Sequence, residues 1–391
     1  MNDLDDLKKI QELDPAGMLK AEEDFYEQLT SARNIAKNAD LSKLSLVKFK
    51  GVAILGMGGS GFSADIIKTL VADEIKVPVE VVKGYDLPAY IGKGWLVVAV
   101  SYSGNTEETI SALNHAIERD AHILIECSGG KLQKLAGDSG YSIINIPSGL
   151  QPRGAIGYLF FPVYLAMGTI GLININENDI EEMLDLIKEK ASIYNRNTPL
   201  SDNPAKELAV KIGDRLPIIY GTEGIYSAVA YRLKCEINEN SKTPCWWNSF
   251  SELNHNETVG WERLANITGN FILIAFRDPD EGPKIRTRIE VTLGQIKPYV
   301  AEIVEIPVEG KSKFAKALSA LYLGDIASVY LALLAGVDPS PVVKIESLKA
   351  ELAKLDSERR TPLGFHWRCA CPAQGRCLAR SDRLTVCPSR C

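Results

Sequence analysis

Two short stretches of this sequence put glycines and hydroxyls where they could hold an anion: Gly56-Met-Gly-Gly-Ser-Gly61 and Ser101-Tyr-Ser-Gly-Asn-Thr106. Glycines let a backbone approach an anion closely, and a helix starting there turns its unpaired N–H groups and the positive end of its dipole toward it. Gly56, Gly58 and Gly61 satisfy G-x-G-x-x-G, so the first stretch alone also fits a dinucleotide site or a ligand-free tight turn. The second stretch separates these readings. Ser101, Ser103 and Thr106 add three hydroxyls within one turn. A compact phosphate monoester can use them without basic residues, whereas a dinucleotide does not need them. On its own the second stretch could be an ordinary helix cap, with Thr106 ahead of Glu107 and Glu108. Taken together, the stretches make Gly58, Gly59, Ser60, Ser101, Ser103 and Thr106 the candidate phosphate ligands.

Other side chains could move protons or stabilise charge. Glu239 closes an expected helix in Glu236-Ile-Asn-Glu-Asn240, although acids favour the opposite helix end. Glu236 and Glu252 remain rivals, and a solvated surface glutamate is the plainer alternative. His255 is one of four histidines and lies among Asn254, Asn256 and Glu257, which could fix its tautomer. A hydrogen-bonded structural histidine is the alternative there. Arg153, in Gln151-Pro-Arg-Gly154, follows a strand, where α/β sheets place ligands. Its permanently charged, planar donor set suits a developing oxyanion, and a surface arginine paired with an acid is the alternative.

The elements that must position these residues are legible from apolar patterning. Strands are expected at 51–55, 77–82, 95–100, 122–127 and 141–146, and again at 216–220, 270–276 and 301–306. Helices fall between them at 64–72, 107–119, 226–238, 285–295 and 314–334, after a helical lead-in at 4–37. Residues 158–172 read as a buried helix and 179–195 as an amphipathic linker helix. This alternation calls for parallel sheets flanked by helices, an α/β chain of two doubly wound halves. The expected domains are 1–196, 197–356 and a tail, 357–391.

Formal net charge is −6, which gives a nucleic-acid partner little electrostatic support. No membrane span and no signal segment are expected, so the expected location is the cytoplasm. The tail differs from the rest. From Ser357 onward it holds seven arginines, no lysine and two acids, a net of +5 where the remainder carries −11. Five of the eight cysteines lie there, in no usual zinc spacing, so the segment reads as appended sequence with no ordered fold.

The paired loops resemble those of the SIS (sugar isomerase) domain. With Gln151-Pro-Arg-Gly154, Asn238-Glu-Asn240 and Glu252-Leu-Asn-His-Asn-Glu257, residues 1–356 resemble the bifunctional phosphoglucose/phosphomannose isomerase family. The resemblance implies isomerisation of a hexose 6-phosphate through a cis-enediol, with no metal or organic cofactor. It implies Glu239 as the base, His255 as the ring-opening group reaching across a homodimer interface, and Arg153 as the enediolate stabiliser. Near the C-terminal end it implies an active-site lysine, placed at Lys349 with Lys344 as competitor. A phosphosugar-binding SIS regulator without catalysis is the alternative.

Overall fold

The computed structural model describes residues 3–360. The expected tail lies outside the described residues beyond Arg360, where the last helix, Val343–Arg360, ends. The chain forms two compact units, the first ending at Pro341 and the second beginning at Val342.

Nine strands occur among the described residues, eight of them where patterning places them. In the first sheet, β1 (Gly51–Leu55), β2 (Val79–Val82), β3 (Trp95–Ser101), β4 (His122–Cys127) and β5 (Ser142–Asn145) lie parallel in the order β2-β1-β3-β4-β5. In the second, β6 (Leu216–Thr222), β7 (Trp246–Phe250), β8 (Phe271–Arg277) and β9 (Glu302–Pro307) run parallel in the order β7-β6-β8-β9. β3 is buried along its whole length, as its unbroken apolar run requires of a central strand covered on both faces. Val98 of β3 sits between Ile54 of β1 and Leu124 of β4.

β7 is the strand that patterning missed. It reads Trp-Trp-Asn-Ser-Phe, pairs only with β6, and keeps Trp246 and Trp247 exposed, so neither an apolar run nor an alternation marks it.

Each sheet reverses its strand order once. From β1 the chain steps to β2 on one side and then to β3 on the other, and β6, β7 and β8 repeat that path. Ligands of such sheets bind in the crevice outside the carboxyl ends of the strands at the reversal, here between β1 and β3 and between β6 and β8.

The helix Lys313–Ala335 packs against the helices Glu177–Tyr194, Pro204–Ile212 and Ile225–Asn240. Among the described residues it is the one helix long and apolar enough to cross a membrane by length and composition alone, a run longer than patterning suggested. Its most apolar window is 94% buried, which accounts for an apolar surface that runs all the way round.

Candidate active site

The first crevice is built by two loops that touch. Past β1, a Cβ on Gly56 would lie 2.7 Å from the Ser60 carbonyl oxygen, so the turn into the helix Gly58–Val71 closes only around glycine. A Cβ on Gly59 would lie 2.8 Å from the Pro152 carbonyl oxygen and 3.3 Å from Arg153 Cα. That bare backbone lets the loop lie directly against the segment carrying Arg153.

The hydroxyls are arranged with donors to spare. Ser60 is buried, and its Oγ accepts the Tyr102 N–H at 3.2 Å, which leaves its own hydrogen to give. Ser101 Oγ lies 2.8 Å from Thr106 Oγ1, and Ser103 Oγ accepts the Asn105 N–H at 3.2 Å. Thr106 does occupy the cap position of the helix Glu107–Glu118, but its side chain makes no capping bond. Thr106, Glu107 and Glu108 thus start the helix as a cap would, without the Thr106 hydroxyl being spent on the helix. Met57, ahead of the helix Gly58–Val71, supplies no side-chain cap either. Two helix N-termini thus end beside each other without side-chain caps, an arrangement that favours an anion. Tyr102 ties the loops to the segment that carries Arg153, because its phenol oxygen accepts the Leu150 N–H at 2.9 Å, three residues earlier in the chain.

Arg153 lies in a 3-10 turn, Pro152–Ala155, whose first position suits proline. Its side chain is 3% exposed. Nε donates to Asn240 Oδ1 at 2.6 Å, and Nη2 donates to the carbonyls of Pro339 at 2.6 Å and Ser340 at 2.8 Å. Nη1 is left facing Glu239, with Oε2 at 3.7 Å. Glu239 sits in the last turn of the helix Ile225–Asn240 with 28% of its side chain exposed. Lys242 donates from Nζ to the carbonyls of Glu239 at 2.6 Å and Pro339 at 3.0 Å, closing the frayed helix end. Burial, then repulsion from Arg153, lowers its pKa.

Beneath these groups lies a buried charge cluster that patterning did not reveal. Arg232 pairs with Glu236 at 2.7 Å and Asp325 at 3.1 Å, and donates to the Arg153 carbonyl at 2.6 Å. Burial pushes Glu236 up to about 8 against the pull of Arg232, and raises Glu22 and Asp325 as well. Glu236, a rival for the base, is therefore a buried structural acid paired with Arg232.

His255 ends a 3-10 turn, Glu252–His255, and is exposed. The flanking side chains expected to fix its tautomer are engaged elsewhere. Asn254 bonds Thr292, Asn256 bonds Glu252, and Glu257 bonds Tyr220 and Asn248. Glu252, the remaining rival, is thus paired on the surface. Lys349 and Lys344 are exposed on the helix Val343–Arg360, in the second compact unit.

Doubly wound parallel sheets with hydroxyl and glycine loops at the first crevice define a two-domain SIS protein of the phosphosugar-binding kind. The SIS domain family matches residues 45–144, and the bacterial phospho-glucose isomerase C-terminal SIS domain matches residues 201–352. A bifunctional phosphoglucose/phosphomannose isomerase of Caldicellulosiruptor bescii is 41% identical over 329 residues, covering 84% of this chain and 97% of that one. One from Aquifex aeolicus is 33% identical over 333 residues, covering 85% and 99%. A hypothetical protein of Thermus thermophilus shares the fold, with a TM-score of 0.68 at 14% identity over 87% of this chain and 91% of that one. The chain belongs to the bifunctional phosphoglucose/phosphomannose isomerase family.

Proposed function

We propose that the protein interconverts glucose 6-phosphate, and also mannose 6-phosphate, with fructose 6-phosphate through a cis-enediol. The observation that carries this reading is the approach of Arg153 Nη1 to Glu239 Oε2, 3.7 Å, against the glycine loop of the phosphate cradle. Gly58, Gly59, Ser60, Ser101, Ser103 and Thr106 hold the sugar's phosphate by backbone N–H groups and hydroxyls. Glu239 removes the C2 proton of the open-chain aldose and returns it to C1, while a proton passes from the C2 hydroxyl to the C1 oxygen. The free Nη1 donors of Arg153 stabilise the enediolate oxygen as charge develops on it. His255 opens the ring, and Lys349 contributes from the C-terminal helix. The exposed setting of His255 suits a residue given across a homodimer interface to the partner's active site.

In this reading the division between the two SIS domains falls at residues 196 and 197. The enzyme works in the cytoplasm without metal or organic cofactor, and without nucleic-acid or membrane partners. The test is Glu239→Gln in a coupled assay run in EDTA, with phosphosugar binding measured in parallel. The expected result is wild-type turnover in EDTA and a loss of about 10³-fold in kcat in the variant, with affinity kept. Absence of C2 proton exchange in the wild-type protein would instead favour the phosphosugar-binding regulator.

A further inference from the structure

Asn240 follows Glu239 directly, yet the helix turns it about 100° away, from the open site into the buried network. It is fully buried, and each end of its amide has a defined partner. Oδ1 accepts Arg153 Nε at 2.6 Å. Nδ2 donates to Glu236 Oε2 and to Ser328 Oγ, both at 2.9 Å. Ser328 gives its own hydrogen to the Asp325 carbonyl at 2.6 Å, so toward Asn240 it can only accept. A flipped amide would turn its N–H groups on the guanidinium, donor against donor, and leave both acceptors unmet. The network therefore permits one orientation.

That orientation fixes Arg153 in turn. With Nε on Asn240 and both Nη2 hydrogens on the Pro339 and Ser340 carbonyls, three of five N–H groups are committed to protein. The two on Nη1 face Glu239. We propose that Asn240 is a positioning residue for the isomerisation, its amide aiming the Arg153 guanidinium so that Nη1 alone is presented to the reacting oxygens. This rests on the proposed roles of Arg153 and Glu239.

A double-mutant cycle on the full-length protein tests it, with kcat, KM and melting temperature read for Asn240→Ala, Arg153→Ala and the pair. Asn240→Ala is expected to lower kcat about 100-fold, the scale of a misplaced catalytic group, while KM stays within about 3-fold because the phosphate loops are untouched. Asn240→Asp keeps an acceptor for Nε and, held protonated by Glu236 Oε2 and Ser328 Oγ on its other oxygen, should recover kcat to within about 10-fold of wild type. In the Arg153→Ala background, Asn240→Ala should change kcat by less than about 2-fold. Should Asn240→Ala fail to fold, Asn240→Ser, polar but too short to reach Nε, takes its place with the same expectations. An equal loss in both backgrounds, or an unchanged kcat in Asn240→Ala, overturns the proposal. An unchanged kcat in Arg153→Ala removes Arg153 from the reaction, and so overturns the functional reading together with this one.

Discussion

The two crevices of this chain share a topology and differ in chemistry. Both have a glycine at the strand end, Gly56 just past β1 and Gly221 next to last in β6. A Cβ on Gly56 would lie 2.7 Å from the Ser60 carbonyl oxygen, and one on Gly221 would lie 2.1 Å from that of Tyr226. Both lead into helices whose cap residues, Met57 and Gly224, make no side-chain capping bond. At the first crevice the neighbouring strand end supplies Ser101, Ser103 and Thr106. At the second it supplies Asp278 and Asp280, both paired with Lys316, and Tyr226 donates its phenol to Asp278 at 2.5 Å. A cleft of about 1110 Å³ opens there, lined by residues including Lys68, Lys83, Tyr231, Trp247, Asp278 and Lys316. Its lysines are largely answered by acids, and a phosphate entering it would meet carboxylates. The fold makes two places where a ligand could sit, and in the proposed reading the loop residues decide which one takes an anion.

Placing the second crevice's chemistry in the first should break the contrast most strongly. Ser103→Asp sets a carboxylate at an exposed position of the phosphate loop, where folding should be unaffected. Repulsion of a few kcal/mol between charges about 4 Å apart predicts a rise in KM on the order of 100-fold or more, measured by steady-state kinetics.

Glycine substitutions sharpen the contrast next. Gly59→Ala drives a Cβ into the Pro152 carbonyl beside Arg153 and should lower kcat about 10-fold, with a stability loss of about 1–3 kcal/mol. Gly224→Ala, at φ +90° with open space around it, should cost about 1–2 kcal/mol by denaturant titration and leave kcat unchanged. Lys316→Met removes the cation that holds Asp278 and Asp280. It should destabilise by about 1–3 kcal/mol and leave KM as it was.

The smallest expected effects are opposite in their pH dependence. Glu126, fully buried in β4 with neither carboxyl oxygen hydrogen-bonded, has its pKa raised well above the usual carboxylate range by burial. Its folded pKa exceeds its unfolded one, so its contribution is complete below the usual carboxylate range. It is lost as pH rises through the folded value. Asp278 is the reverse. Against the upward pull of burial, Lys316 and Tyr226 hold it below the usual range, so its contribution is present above that range and lost as pH falls. Glu126→Gln should flatten the decline of melting temperature as pH rises above the usual carboxylate range, and Asp278→Asn the decline as pH falls below it.

How much was legible in advance depends on whether a feature is local in the chain. Eight strands and both glycine- and hydroxyl-bearing loops announce themselves within a few consecutive residues. β7 does not, because an edge strand paired on one side needs no apolar run and here exposes two tryptophans. The network under Arg153 draws on Glu22, Arg232, Glu236, Asn240, Asp325 and Ser328, in which Arg232–Glu236, Glu236–Asn240 and Asp325–Ser328 are spaced as neighbours on a helix face. Such spacing is equally that of solvent-exposed helix pairs, so it does not by itself announce a buried cluster. Asn240 stood only as the last letter of a motif, since nothing in its neighbourhood along the chain says that it meets a residue 87 positions away.

The helix Ile225–Asn240 begins at the second crevice, where Tyr226 holds Asp278, and ends at the first, with Glu239 and Asn240. Its sixteen residues make a rod about 24 Å long. Inserting or deleting one residue anywhere along it would shift the far end by about 1.5 Å and rotate it by about 100°, exchanging the outward acid for the inward amide. This helix has a reading frame of its own, and under the proposed roles a change of count there would remove turnover while leaving the loops able to bind a phosphate.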